Sequence, residues 1–389
     1  MESASLRSRA RRSARSDLTP PKFTIDLSLP PEKRYVHLAP HFQEHIHDLT
    51  SLFDDIVSTI PYFSDKWKKR IAKFMFRRLY DDEENREIAG ISKATGVEHH
   101  LLVAFNVLLD LFMGCTSGGV RTKDRQGNFK MLHFRTLDWG MDSLRKVVVE
   151  LDFVRNKDGP VIASSVTYFG YVGVLTGVKK GLSISLNFRP THDSSTRMKE
   201  FKFRAHQILV LVGKRRAISS VLRNCLLDEK VEMDVEALAQ SLAGIRSTAT
   251  YLIFSSGRKT VTMEKDYRTA IIRSAEDYIV VLNNDVADEA DPHRYEENVN
   301  GNTGAEIAGL LDILSMDRKK CVVDLWTQTV DDRKKRGTIR PGETPYVTKS
   351  DVIRWMGVED IANSETHYGT IMDPSSGQII WLERYIDPL

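Results

Sequence analysis

Residues 101–138 read LLVAFNVLLDLFMGCTSGGVRTKDRQGNFKMLHFRTLD, and their character changes part-way along. The first thirteen are almost wholly apolar, broken only by Asn106 and Asp110, which reads as a helix set against a core. Gly114 ends that run. Cys115-Thr116-Ser117 then opens a strand-like segment, and Lys123-Asp124-Arg125-Gln126-Gly127-Asn128 forms a turn cluster between two short strands. The second strand delivers Arg135 and Asp138 in an R-x-x-D step. A helix, a break and a hairpin in that order put the start of a sheet at Cys115.

Upstream, residues 23–36 alternate as one strand (Phe23, Ile25, Leu27) and stop at Pro30-Pro31. Apolar positions at helical spacing then predict helices over 38–60 and 64–79, and Asp81-Asp82-Glu83-Glu84 starts a third through Ile91. The 64–79 helix sets Trp67, Ile71 and Phe74 against Lys66, Lys68, Lys69 and Arg70. That pattern suits a solvated basic face over a core stripe, and equally a helix lying on an anionic membrane surface.

Downstream, residues 146–155 alternate well, and 160–187 hold three short strand-like runs separated by Gly170, Gly173, Gly177 and Gly181. Helices are expected at 199–224 and 234–244, then strands at 249–255, 260–265, 269–273 and 278–282. Residues 285–304 read as an exposed loop, 304–315 as a helix, 318–345 as a charged loop-rich insert, and 366–372 and 378–385 as closing strands. The order predicts an α+β protein with two sheets covered by helices on their outer faces. It divides into a basic tail (1–22), a strand-plus-helix region (23–114) and a larger sheet-bearing part (115–389).

A net charge of +3 on 389 residues gives no reason to expect nucleic acid as a partner. The arginines of the first sixteen residues lie among Ser and Ala without an apolar core of signal-peptide length, so the segment reads first as a solvated, disordered tail, with a mitochondrial transit peptide as the alternative. No stretch approaches the ~18–20 apolar residues of a membrane span. Three cysteines, Cys115, Cys225 and Cys321, show no metal-ligand spacing and no disulfide framework, so neither a metal nor a cofactor is expected and a reducing compartment fits best. The expected setting is cytoplasmic or peripheral to a membrane.

Taken alone, Cys115 is more readily a small buried hydrophobe than a nucleophile. Arg135 and Asp138 shift that balance, because a guanidinium beside a thiol favours the thiolate and a carboxylate can orient an amine or the arginine itself. A structural ion pair at a strand end accounts for the two equally well. No histidine stands at a telling interval, and His133 reads as structural.

Gly114-Cys115-Thr116-Ser117 followed by His133-Phe134-Arg135-Thr136-Leu137-Asp138-Trp139-Gly140 resembles the C-T-S … G-R-N-[LM]-D-[FY] signature of the acid ceramidase and N-acylethanolamine acid amidase family. Thr24-Ile25-Asp26-Leu27 with Pro30-Pro31-Glu32-Lys33-Arg34-Tyr35 is similar to the segment that opens the family's α subunit. The runs 151–156 and 170–177 are close to acid ceramidase in particular, and 249–254 and 278–285 resemble the later strands.

The resemblance implies the αββα sandwich of N-terminal nucleophile hydrolases, cut by self-cleavage between Gly114 and Cys115 into α and β fragments that stay partners. It makes Cys115 the nucleophile and its freed α-amine the general base, which explains the missing histidine. Arg135 and Asp138 would hold the amine and the substrate carbonyl. Asn284 would donate to the oxyanion, with adjacent Asn283 an alternative counterpart.

Three departures qualify the match. Where the family has Asn-Glu-Arg this chain has Asn187-Phe188-Arg189, so the glutamate's role is vacant or altered. The Asp-Asp-Arg-Arg after the family's asparagine is absent, and Arg294 is the nearest replacement. The loop from Cys115 to Arg135 is a few residues longer than in the animal enzymes, and their signal peptide and disulfide cysteines are not seen here, which puts the family's lysosomal setting and acidic optimum in question for this chain. The implied function is hydrolysis of a lipid amide, ceramide first and N-acylethanolamine or another fatty amide second. A non-catalytic lipid-binding homologue and an amidase for non-lipid amides are the rivals.

Overall fold

The computed structural model describes residues 18–45, 73–108, 114–228, 234–290 and 303–389. The basic tail to residue 17, most of the helices expected over 38–60 and 64–79, and Arg294 lie outside the described residues.

The first strand, β1, is Lys22–Asp26, followed by a short helix α1 (Ala39–Phe42). Helix α2 (Asp82–Thr95) begins where the Asp81 side chain accepts from the Glu83 N–H at 3.0 Å, and ends at Gly96, whose φ of 78° closes the last turn. Helix α3 (His99–Leu108) is the apolar run, and its residues 101–107 are buried, as a core helix requires. Then come β2 (Gly114–Lys123) and β3 (Phe129–Asp138), joined by the predicted turn, in which Gly127 adopts φ of 91° and Asp124 Oδ1 accepts from Asn128 N at 2.8 Å.

Next in order are β4 (Val148–Val154), β5 (Val161–Tyr168), β6 (Thr176–Lys179) and β7 (Leu182–Phe188). Two helices, α4 (Arg197–Leu211) and α5 (Ile218–Leu227), replace the single one expected, because the chain breaks at Gly213, where φ is 67°. Helix α6 (Val235–Ala243) precedes β8 (Thr250–Ser255), β9 (Thr260–Lys265), β10 (Ala270–Ala275) and β11 (Tyr278–Val281). The chain finishes with α7 (Val286–Ala290), α8 (Thr303–Lys335), α9 (Lys349–Trp355), β12 (Thr366–Asp373) and β13 (Gln378–Arg384).

The strands form an eight-stranded sheet in the order β1-β4-β5-β6-β7-β8-β9-β10 and a five-stranded sheet in the order β11-β2-β3-β12-β13. All pairings are antiparallel except β1 with β4. The sheets pack face to face, with α5 and α6 outside the larger one and α8 and α9 outside the smaller. Four layers result, helix–sheet–sheet–helix, as the sequence predicted.

Two adjacent glycines let the layers close on both sides of β2. A Cβ on Gly119 would stand 1.8 Å from Thr260 Oγ1 of the larger sheet, and one on Gly118 would stand 2.3 Å from the Ile279 carbonyl oxygen.

The insert expected at 318–345 is corrected. Helix α8 runs through to Lys335, the chain is loop over 336–348, and α9 follows, capped by reciprocal hydrogen bonds between Thr348 and Asp351. Val322 and Val330 of α8 are buried against Val120, Leu132 and Phe134, while Leu325 and Trp326 are partly buried. Charged residues on the remaining face conceal that stripe in the sequence. The exposed loop expected over 285–304 likewise starts as α7.

Candidate active site

The β2–β3 register pairs Gly114 with Asp138, Cys115 with Leu137 and Ser117 with Arg135. Because side chains alternate along a strand, Cys115, Ser117, His133 and Arg135 all project between the two sheets. Arg135 is fully buried there. Its Nη1 donates to the Leu175 carbonyl and to Thr176 Oγ1 (2.7 Å), while Nη2 donates to the Leu186 carbonyl (2.7 Å) and to Cys115 Sγ (3.2 Å). Tyr368 Oη lies 2.8 Å from Thr176 Oγ1 and so backs that hydroxyl. Four acceptors fix the guanidinium in one pose, aimed at the sulfur.

Cys115 has no exposed surface. Burial pushes its thiol above the usual range, and the Arg135 charge only partly opposes this. Its backbone N–H donates to Asn283 Oδ1 at 2.8 Å, and Asn283 Nδ2 donates to the Phe188 carbonyl at 2.7 Å. These partners fix which way the amide points, since an N–H needs the oxygen and a carbonyl needs the nitrogen.

Asp138 falls on the opposite face of β3, toward α8, where it pairs with Arg318 and accepts from Thr366 Oγ1 at 2.6 Å. Burial raises its carboxyl and Arg318 pulls it back. It adjoins the bond before Cys115: a Cβ on Gly114 would lie 3.4 Å from Asp138 Cβ and 3.7 Å from Arg318 Nη2.

The structure therefore brings Gly114, Cys115, Arg135, Asp138 and Asn283 together. Asn284 points elsewhere: its Oδ1 accepts from Ser315 Oγ at 2.7 Å and its Nδ2 donates to Glu289 at 2.8 Å. Asn187 ties the sheets beside the site, accepting from Ser117 Oγ at 2.9 Å and donating to the Val281 and Leu282 carbonyls. His133, held between Ser183 and Ser185 at 2.9 and 2.8 Å, is structural, and burial lowers it to about 3. Sequence reasoning missed Arg318, Ser315 and Thr366, whose only local signal is the Ser-x-x-Arg step on a helix. Among the described residues no group of three or more His, Cys, Asp or Glu side chains is placed to hold a metal ion.

This geometry can be set beside known proteins. The family model described as the beta subunit of N-acylethanolamine-hydrolyzing acid amidase matches residues 19–79, ahead of Cys115. Acid ceramidase of Mus musculus is 33% identical over 190 residues, which are 43% of this chain and 45% of that protein. The chain is thus similar, over part of its length, to the acid ceramidase and N-acylethanolamine acid amidase family. The acid ceramidases of Rattus norvegicus and Homo sapiens are each 30% identical over 191 residues, again 43% of this chain and 45% of theirs. The match thus spans less than half the length of these relatives. Among solved structures, a Caenorhabditis elegans N-acylethanolamine-hydrolyzing acid amidase ortholog is 19% identical, with a TM-score of 0.47 over 67% of this chain and 93% of that one.

Proposed function

We propose that the protein is a lipid amide hydrolase whose nucleophile is Cys115, released by self-cleavage of the Gly114–Cys115 bond. The observation that carries this reading is the Arg135–Cys115–Asn283 arrangement, in which Arg135 addresses the sulfur and Asn283 the nitrogen of the same residue. A binding protein has no use for a guanidinium buried against a thiol.

In the uncut chain the thiol is sealed and held neutral by burial. Attack of Sγ on the Gly114 carbonyl carbon breaks the bond to the Cys115 nitrogen, which takes up the thiol proton. Water then hydrolyses the thioester, leaving a Gly114 carboxylate and a Cys115 α-amine. That amine, with an ordinary pKa near 8, takes the proton from the thiol in each turnover. Asn283 Oδ1 orients it.

The thiolate adds to the lipid amide carbonyl, and Arg135 Nη2 is the donor nearest the developing oxyanion. The leaving amine carries off the proton from the Cys115 ammonium. Water, deprotonated by the freed amine, releases the fatty acid from the thioester. Asp138, held by Arg318, faces the new terminus and favours its charged form.

Ceramide is the first candidate substrate, supported by the similarity to acid ceramidases. N-acylethanolamine is the second, favoured by the family model that matches 19–79. Contact with a lipid surface fits α4, whose exposed Met198, Phe201 and Ile208 stand among exposed Lys199, Lys202 and Arg204. No helix of the described residues is long and apolar enough to cross a membrane.

The test compares the wild type with Cys115→Ala on denaturing gels and against fluorescent ceramide and N-acylethanolamine. The expected result is cleavage into two fragments and hydrolysis of one lipid, both abolished in the variant. A wild type that stays whole and hydrolyses amides no faster than the variant removes the nucleophile assignment.

A further inference from the structure

Asn283 and Asn284 are consecutive residues in the bend that follows β11, and their side chains take different partners. Only one faces Cys115. Nothing in the pair itself decides which, since both are asparagines on the same short segment. The decision comes from outside it. Ser315 on α8, fully buried, uses its single hydroxyl twice: Oγ accepts from the Asn283 backbone N–H at 2.8 Å and donates to Asn284 Oδ1 at 2.7 Å. The one proton of that hydroxyl and one of its lone pairs are thereby spent on the two asparagines.

We infer that Ser315 is the positioning residue that selects Asn283 as the asparagine facing the Cys115 nitrogen, by pinning Asn284 to the helix side. The inference rests on the reading of Cys115 as the nucleophile. With Asn284 held by Ser315 and by Glu289, the backbone turns the Asn283 amide the other way, where Oδ1 meets the Cys115 N–H and Nδ2 the Phe188 carbonyl.

The placement of Ser315 gives it a second consequence. Arg318 follows three residues later on the same face of α8 and forms the buried pair with Asp138. One helical turn therefore sets the two groups around the scissile bond and the future α-amine, Asn283 on one side and Asp138 on the other. Ser315 holds Asn283 and Asn284, Arg318 holds Asp138, and the action of both runs through the groups that they hold.

The test uses the full chain as wild type, Ser315→Ala, Ser315→Thr, Asn284→Ala and Cys115→Ala, each checked for folding by thermal melt. Cleavage at Gly114–Cys115 is followed by intact mass, and the pH profile of kcat/KM is measured on a fluorescent N-acyl amide. Loss of orientation at the reacting nitrogen slows self-cleavage by on the order of tenfold to a hundredfold. Ser315→Ala and Asn284→Ala should both show this, together with a shifted acidic limb in the pH profile, while Ser315→Thr keeps the hydroxyl and the wild-type profile. A merely structural role would lower the melting temperature and leave the limb in place.

Should Ser315→Ala not fold, Asn284→Ala releases the same clamp from its other end without touching α8. Wild-type cleavage and an unmoved acidic limb in either folded variant overturn the inference. If the wild type cleaves, Cys115→Ala does not, and Ser315→Ala matches the wild type, the nucleophile stands and the selector falls. If wild type and Cys115→Ala both stay uncut and inactive, the two readings fall together.

Discussion

Arg135 Nη2 donates to Cys115 Sγ at 3.2 Å, and no carboxylate lies within ion-pair distance of that guanidinium among the described residues. A buried positive charge answered only by neutral oxygens and a thiol is costly to keep, and ionisation of the sulfur is the event that would balance it. The guanidinium is thus placed to favour the thiolate, while burial of Cys115 favours the neutral thiol.

Replacing Arg135 with Lys should expose that dependence. An ammonium cannot span the four acceptors that the planar fork reaches, so at least one buried carbonyl loses its partner. The expected cost is about 1–3 kcal/mol in stability. Thiol alkylation and amide hydrolysis in the cleaved protein should slow by about tenfold or more, a change of roughly 1.4 kcal/mol in the barrier. Iodoacetamide rates against pH and a denaturant melt measure the two effects. Alkylation at the wild-type rate would uncouple Arg135 from the sulfur.

Glu84 of α2 sets a pH dependence of stability. Its carboxyl accepts from Ser220 Oγ at 2.7 Å, and burial raises its pKa from 4.5 to about 7, with Arg223 opposing. The folded state therefore holds the proton more tightly than the unfolded chain. Its contribution is complete below about 4.5 and is lost as the pH rises through about 7. The loss from this group is at most about 3 kcal/mol. Glu84→Gln keeps a hydrogen-bonding group without the charge. Melts at pH 5 and pH 8 should show a shallower decline for the variant, and equal slopes would mean that Glu84 does not titrate in this range.

Gly119→Ala should push the sheets apart. The added methyl meets Thr260 Oγ1 at 1.8 Å, on a strand opposite, so either β2 or β9 must move. Overpacking of this kind costs about 1–3 kcal/mol. Pairing the change with Thr260→Gly, which removes both the oxygen and the Cβ that the methyl meets, should recover part of the loss. A singly substituted protein as stable as the wild type would show that the layers are not in contact there.

Glu87→Ala should be the most damaging of these changes. Its carboxylate, without exposed surface, joins Arg34 at 2.9 Å and Arg223 at 2.7 Å, so deletion takes the paired carboxylate from buried Arg223 and leaves Arg34 with Glu83 alone. Removal of one member of such a cluster costs about 3–5 kcal/mol. In the cleaved protein the N-terminal fragment should also separate on gel filtration, because Arg34 and α2 belong to it and Arg223 to the other piece. Co-elution of both fragments at wild-type strength would place the clamp elsewhere.

What could be read from the sequence was mostly what is local. The 114–138 hairpin, its turn, and the later antiparallel strands carry their own periodicity and glycines, and each stands where expected. Helix α8 was expected only over 304–315 and its continuation to Lys335 did not show, because Arg318, Lys319, Lys320, Asp324, Asp331 and Asp332 outnumber the few apolar positions that face the sheet. Its site residues were hidden for the same reason. Arg318 reaches Asp138 across 180 residues, a distance that no spacing rule covers. The choice between Asn283 and Asn284 is equally non-local, since a hydroxyl more than thirty residues away makes it.

The parallel pairing of β1 with β4 has a meaning beyond topology. Register runs from Lys22 with Glu150 to Asp26 with Val154, and Lys22 Nζ reaches Glu150 and Asp152 at 2.8 and 2.9 Å. Scission at Gly114 would leave those two strands on separate polypeptides. An intramolecular edge would then become strand addition between subunits, with the small fragment serving as a ligand synthesised in place at an effective concentration no free peptide reaches. Residues 115–389 produced alone would present β4 as an unpaired edge, and their natural failure is self-association along it.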